Sequence, residues 1–120
     1  MKTSNKKYEI TDIAHETYPF LHRIRALRDI GENVKAGDLG GFVEGEHNLE
    51  TELSDSAWIF DDAIACGSAY VNQDSSLHNT AIACDHAYVS CGSALYGQAR
   101  AEDDAYPVSY THLTLPTILL

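Results

Sequence analysis

Apolar residues recur every six positions along the middle of this chain, between positions 53 and 107. A small residue, alanine or serine in every case, stands four positions after each of them. A period of six cannot keep one stripe on an α-helix, which has about 3.6 residues per turn, whereas six is a multiple of the strand period of two. Each repeat is therefore predicted to be a short strand followed by a corner. The apolar positions are Leu53, Ile59, Ala65, Val71, Leu77, Ala83, Val89, Leu95 and Ala101, and the small ones are Ala57, Ala63, Ala69, Ser75, Ala81, Ala87, Ser93, Ala99 and Ala105.

A second period, of 18 residues, relates positions that should face outward. It links Tyr70, Tyr88 and Tyr106; Cys66 and Cys84; Ile64 and Ile82; and the mixed set Phe60, His78 and Tyr96. Three repeats therefore make one turn of a coil, and residues 18 apart should stack at the inter-strand spacing of about 4.8 Å. The prediction is an all-β chain built on a parallel β-helix of about three turns.

This pattern, an aliphatic residue with a small residue four positions later in coils of 18, resembles the left-handed parallel β-helix of hexapeptide-repeat proteins. The resemblance implies the left hand of the coil, which the spacing does not show. It also implies a trimer as the assembly and, for the acyltransferases of that family, a histidine base beside acetyl-CoA in a groove between subunits. Other members are carbonic-anhydrase-like or have no known chemistry, so the fold does not fix the function.

Residues 1–46 are predicted to form a β-rich N-terminal cap, ahead of the β-helix at 47–107. Apolar and polar residues alternate over 7–12 and again over 20–30, which favours two strands; a short helix is the alternative for the second. Residues 34–43 have the glycine-rich composition of a hairpin. A cap of this kind is expected to cover the open backbone groups of the first turn of the coil.

The N-terminal region also carries a resemblance of its own. The runs at 23–29, 34–43 and 46–49 resemble the start of an uncharacterised group of bacterial and phage hexapeptide-repeat proteins. Some members of that group carry an acetyltransferase label by analogy only.

The last thirteen residues do not follow the repeat. The run 108–117 resembles the conceptual translation of a transposon-derived sequencing adapter. Pro107 stands where the repeat needs an inward aliphatic residue, and proline has no N–H for a ladder hydrogen bond. We therefore expect 108–120 to be a non-native tail and the natural β-helix to continue past Tyr106. A genuine apolar C-terminal cap is the alternative.

The net charge of −10 is unevenly placed. Residues 1–35 hold seven of the eight Lys and Arg and five acids, for +2, whereas residues 36–120 carry −12. Phosphate binding needs clustered Lys and Arg, so nucleic acid is not an expected partner.

The N-terminus lacks a signal-like apolar run and no stretch reaches the length of a spanning helix, so we expect no membrane and a cytoplasmic location. The acids are interpreted as solvated corners, with cation binding at Asp61-Asp62 or Asp103-Asp104 as the alternative.

Three cysteines in a chain without an export signal do not indicate a disulfide framework. Cys66 and Cys84, stacked one turn apart, would lie within the Cα separation of about 4.4 to 6.8 Å that a disulfide tolerates, but we favour two reduced thiols. No paired Cys-x2-Cys motif occurs, so no metal site is expected.

Catalysis has weak support in the sequence. His78 and His86 are the candidate general bases for an acyltransferase, but neither has an acidic partner evident in sequence and no loop interrupts the repeats. We therefore predict no catalytic residues and no cofactor, with acetyl-CoA expected only under the acyltransferase alternative.

A binding role fits the sequence better, because apolar side chains are expected on the outer faces of the coil. The prediction is a structural or interaction protein that forms a homo-oligomer, as a trimer by the family resemblance, or binds a protein partner. The expected partner face carries Trp58, Phe60, Ile64 and Ile82.

Overall fold

The protein is all-β. A computed structural model describes residues 5–102, and the only helix among them is a single 3-10 turn at Glu46–Asn48. None of the helical structure in that range is long and apolar enough to cross a membrane. The strands are β1 (Tyr8–Ala14), β2 (His22–Ala26), β3 (Leu39–Val43), β4 (Trp58–Ile59), β5 (Ile64–Ala65), β6 (Tyr70–Val71), β7 (Ser76–Leu77), β8 (Ile82–Ala83), β9 (Tyr88–Val89), β10 (Ala94–Leu95) and β11 (Arg100–Ala101).

From β4 onward a strand begins every six residues, and each pairs in parallel with the strand 18 residues away. The chain therefore forms a β-solenoid of about three turns, as the sequence predicts. Its three faces are named here by their outward residues: the cysteine face (β5, β8, β11), the tyrosine face (β6, β9) and the histidine face (β4, β7, β10). The predicted stacking is confirmed by the partners Ile64 and Ile82 on the cysteine face and Tyr70 and Tyr88 on the tyrosine face.

The interior is made of columns of the predicted inward residues. From Ile59 to Ala101 every one of them has no measurable exposure, and the small residues from Ala57 to Ala99 are buried beside them. Packing of this density leaves room only for alanine or serine where the chain turns. The two sets together form the hydrophobic core of the coil.

The corners are turns that require a left-handed backbone. A residue with positive φ stands at every sixth position from 61 to 97, and it is aspartate, asparagine or glycine at five of the seven positions. These residue types tolerate that conformation best. Their side chains also receive N–H groups from the next turn: Asp61 Oδ2 accepts from the Asn79 N–H at 2.9 Å, and Asn79 Oδ1 accepts from Gly97 at 2.9 Å. This accounts for the acids at the corners.

The first repeat differs from the prediction. Leu53 is 44% exposed, and Leu49 occupies the inward place instead, pairing with Val71 in parallel. Leu49 is fixed there by the cap, because the Tyr8 hydroxyl donates to the Leu49 carbonyl oxygen at 2.7 Å. The segment between Leu49 and β4 is thus longer than one repeat, and Leu53 lies on its outer side.

The N-terminal strands continue the cysteine face rather than forming a separate sheet. β1 pairs antiparallel with β2, β2 pairs antiparallel with β3, and β3 pairs in parallel with β5. The predicted strands at 7–12 and 20–30 are confirmed, whereas the hairpin at 34–43 is wrong: the hairpin is formed by β2 and β3. Residues 34–43 supply only its turn and second strand.

Burial of a lysine helps to fix the cap on the coil. Lys7 is fully buried and its Nζ donates to the Glu50 carbonyl oxygen at 3.0 Å. Burial lowers the pKa of this amine, although Asp55 and Glu50 nearby oppose the shift. The predicted non-native tail at 108–120, the Asp103-Asp104 pair and the end of the repeat at Pro107 lie outside the described residues.

Candidate functional site

The histidine face carries an aromatic ladder beside a groove. Phe60 stacks on His78 with ring centroids 4.6 Å apart, and His78 stacks on Tyr96 at 4.3 Å, both nearly coplanar. The loop before β3 forms the opposite wall, and the groove has a volume of about 230 Å³. The ladder is the one that the 18-residue spacing predicts.

His78 has a hydroxyl partner in this groove. Its Nε2 lies 2.8 Å from Ser76 Oγ, two residues earlier on the same outward side of the strand. Burial lowers the pKa of the imidazole, against a weaker opposite effect of Asp61. A neutral imidazole next to a hydroxyl has the composition of a general base, but the two neighbouring rings cover both faces of it.

The same burial predicts a pH effect on stability. Because the pKa of His78 is lower in the folded protein than its ordinary value of 6.5, the unfolded chain takes up the proton first as the pH falls. The melting temperature should therefore decline as the pH falls below 6.5. His78→Phe keeps the stacked ladder and should remove this part of the decline. Thermal melts of both proteins from about pH 7 to about pH 5, a range that brackets the ordinary histidine pKa, would measure the difference. An identical decline in the variant would contradict the assignment.

His86, the other candidate base, lies elsewhere. It precedes β9 on the tyrosine face, is exposed, and follows the corner residue Asp85. Asp61 and Asp62, the described part of the alternative cation site, already have partners: Asp61 accepts the Asn79 N–H, and Asp62 Oδ1 lies 2.9 Å from Arg23 Nη2. A carboxylate held by arginine is a poor cation ligand.

Two residues of the predicted partner face are covered by the chain's own cap. Trp58 is 1% exposed and Ile64 is 7% exposed. Tyr8 packs edge-on against Trp58, and Leu21 and Phe42 cover Ile64. The prediction that these two side chains are exposed is therefore wrong, because the N-terminal segment packs over the side of the coil from which they project. Phe60 and Ile82 remain partly exposed.

An apolar groove of about 230 Å³ runs along the cysteine face below the cap. One wall is the loop between β1 and β2, with two exposed aromatic side chains, Tyr18 (48%) and Phe20 (53%). The floor is the outer side of the coil, and Arg100 is its one charged residue among those described. The groove is lined by Tyr18, Phe20, Leu21, Ile64, Cys66, Ile82, Cys84 and Arg100.

The thiols in this groove are poor nucleophiles. Burial, with further effects from Cys84 and Glu44, raises the pKa of the Cys66 thiol to about 11, and burial also raises the pKa of Cys84. The thiol form of cysteine is inert compared with the thiolate. None of the three cysteines forms a disulfide, and Cys91 is exposed on another part of the coil.

The sequence did not reveal the loop at 15–21, because it has no periodicity that would mark it as a surface feature. Pro19 between two aromatic residues was the available signal, since proline fixes its own φ angle and restricts the backbone of the residue before it. Comparison of this chain with protein-family models, with curated proteins and with solved structures found no match.

Proposed function

We propose that this protein is a non-enzymatic interaction module, and that the groove of its cysteine face binds a second copy of the same chain. The observation that carries the proposal is an exposed aromatic ridge, Tyr18 and Phe20, directly beside an apolar groove on one surface. Contiguous exposed apolar surface of this kind is typical of protein contacts. The cytoplasm is the proposed compartment, where the thiols stay reduced.

The ridge is held in place before any partner binds. The His15 N–H donates to the Leu21 carbonyl oxygen at 2.9 Å, and the Leu21 N–H donates to the Tyr18 carbonyl oxygen at 2.9 Å. His15 Nδ1 accepts the N–H groups of Thr17 and Tyr18. A loop closed by its own hydrogen bonds loses little entropy on binding, which favours affinity.

A ridge next to a groove makes the surface complementary to itself. Phe20 of one copy can enter the groove of the next, where Ile82 forms the floor, and the exchange can close into a symmetric assembly. Aromatic anchors in apolar pockets supply most of the energy of many interfaces. The family resemblance favours a trimer. Because each copy carries a net charge of −10, electrostatic repulsion opposes the contact. Added salt screens this repulsion and should therefore strengthen association.

The molar mass in solution tests the proposal. Size-exclusion chromatography with light scattering, from low to high micromolar concentration, should give a closed oligomer for the wild-type chain. Phe20→Asp and Ile82→Asp each place a carboxylate in the contact, and each should raise the dissociation constant by at least about 30-fold. Leu53→Asp is the matched control, because Leu53 is as exposed as the ridge but does not line the groove.

A wild-type chain that stays monomeric at every concentration would contradict the proposal. So would an oligomer that keeps its mass in both groove variants, or one that Leu53→Asp dissociates equally well. Circular dichroism of each variant confirms that the coil is still folded.

Acyl transfer is a second candidate function, favoured by one observation: the neutral His78 beside the Ser76 hydroxyl in an open groove. In this alternative the imidazole would take the proton of an amine or hydroxyl acceptor as the acceptor forms a bond to the thioester carbonyl carbon of acetyl-CoA. The carbon–sulfur bond would then break, and coenzyme A would leave as the thiolate and take up that proton. Thioester loss, followed with acetyl-CoA and a mixture of amine and hydroxyl acceptors, should then depend on His78 and disappear in His78→Gln. A rate of thioester loss no higher than that in buffer alone would contradict this second candidate function.

A further inference from the structure

A histidine closes the loop that carries the aromatic ridge. His15 Nδ1 lies 3.0 Å from the Thr17 nitrogen and 3.2 Å from the Tyr18 nitrogen, and it accepts both N–H groups. Asparagine and aspartate close turns in the same way, with a side-chain oxygen that accepts the N–H two residues later. Here the acceptor belongs to a side chain that can take up a proton in mildly acidic solution.

The two hydrogen bonds require one protonation state of His15. A ring nitrogen that accepts a hydrogen bond offers its lone pair, so the single proton of the neutral ring is on Nε2. A second proton would be added at Nδ1, where it would face the N–H groups of Thr17 and Tyr18. Because three donors cannot share one acceptor position, the protonated ring must turn away, and both backbone N–H groups then lose their acceptor.

The neutral ring is held by its neighbours. It is half-buried and meets the Phe42 ring edge-on, with ring centroids 4.7 Å apart. The guanidinium of Arg23 lies over the same Phe42 ring, 4.2 Å from its centroid, and lines the same pocket as His15. A positive charge on His15 would therefore be repelled by Arg23.

The other titratable groups that face the ring do not outweigh this effect. They are Glu16 and Tyr18 on the same loop and Asp62 at the corner before β5, whereas β3 contributes only the uncharged Phe42. Asp62 forms an ion pair with Arg23 at 2.9 Å, so its charge is largely compensated. Glu16 is exposed, and solvent screens its attraction for a protonated ring.

We propose that His15 is a pH-sensitive latch of the aromatic ridge: the neutral ring closes the loop at 15–21 for assembly, and protonation opens the loop and weakens assembly. The inference rests on the proposed self-association. An open loop must be ordered again before it can bind, which lowers the fraction of chains that are ready to associate. If that fraction falls to about a tenth, the apparent dissociation constant rises about tenfold.

The net charge of the chain predicts a pH effect of the opposite sign. Acidification protonates histidine side chains, so the net charge of −10 becomes smaller in magnitude and the repulsion between copies falls. Association through a contact without a latch should therefore strengthen as the pH is lowered. The direction of the change distinguishes the latch from this general electrostatic effect.

Light scattering of the full chain at about pH 7.5 and at about pH 5.5 tests the latch, since histidine changes its charge in this range. The dissociation constant of the wild-type chain should rise at least about tenfold at the lower pH. His15→Asn keeps an acceptor atom bonded to Cγ but cannot be protonated in this range, so it should assemble equally well at both pH values. His15→Ala should assemble weakly at both. His86→Asn is the matched control, because His86 is an exposed histidine on the tyrosine face, and it should respond to pH as the wild-type chain does.

Nuclear magnetic resonance provides a readout that does not depend on assembly. Nitrogen-15 spectra of the imidazole should show the Nε2–H tautomer of His15 at the higher pH. The amide signals of Thr17 and Tyr18 should then move on acidification with the same midpoint as the His15 ring. In His15→Asn these amide signals should stay in place.

The latch is overturned if association of the wild-type chain strengthens or stays constant at the lower pH, or if His15→Asn keeps the wild-type response. It is equally overturned if the Thr17 and Tyr18 amides do not follow the titration of the ring. A chain that is monomeric at both pH values contradicts the proposed self-association instead, and the amide titration then decides whether His15 closes the loop. Circular dichroism at both pH values confirms that the coil is folded.

Discussion

Replacing Trp58 by alanine is expected to destabilise the protein by about 3 to 5 kcal/mol, one of the two largest effects that we predict. Trp58 is the largest fully buried side chain, and it joins the cap to the first turn of the coil. Tyr8 meets it edge-on, with ring centroids 6.3 Å apart. Its removal leaves a cavity at that junction and exposes the end of the histidine face.

Chemical denaturation followed by circular dichroism measures this change. Leu53→Ala is the control, and because Leu53 is 44% exposed it should shift the free energy of unfolding by no more than about 0.5 kcal/mol. The wild-type chain offers an independent check, since Trp58 is its single tryptophan. Its emission should be blue-shifted and resistant to acrylamide. Solvent-accessible emission would show that the N-terminal segment does not cover this face.

Gly41→Ala is expected to have an effect of similar size, through the backbone rather than through a cavity. A Cβ at position 41 would lie 2.3 Å from the Ala63 carbonyl oxygen and 2.6 Å from Ile59 Cγ2. The first of these is main chain and cannot rotate away. β3 would have to move off the coil, losing its parallel pairing with β5, so we expect a loss of about 3 kcal/mol or more.

Gly37→Ala is the matched control for this substitution. Nothing lies within 4 Å of a Cβ at Gly37, and its φ of +93° imposes only the strain of a left-handed backbone. That strain costs about 1 to 2 kcal/mol. Urea unfolding should therefore give a much lower free energy of unfolding for Gly41→Ala than for Gly37→Ala. Equal stabilities would mean that β3 does not approach the coil as closely as described.

The coil could be predicted from sequence because its structure is periodic. Each strand pairs with the strand 18 residues away, so the constant spacing in the sequence is enough to predict which strands pair. Small residues such as Ala81 show where the interior of the coil is narrow. The prediction was wrong at Leu53 because the regular spacing breaks in the segment after Leu49. Nothing in the local pattern shows which of the two leucines the cap fixes.

The candidate sites were harder to predict because they depend on contacts between distant segments. Trp58 and Ile64 do point out of the coil, but the alternation of residues cannot show that Tyr8 and Leu21 cover them. The spacing of 18 between Cys66 and Cys84 was visible in the sequence, but it could not show that Tyr18 and Phe20 form a groove beside them.

The most direct test of self-association through the aromatic ridge is a position-specific cross-link. A photoreactive phenylalanine analogue at position 20, in an equal mixture of nitrogen-15-labelled and unlabelled chains, reports which surface Phe20 contacts. Irradiation should join labelled to unlabelled chains, with the cross-links mapping to the groove residues Ile82, Cys84 and Arg100. Cross-links confined to single chains, or chains joined through the tyrosine face, would contradict the proposed interface.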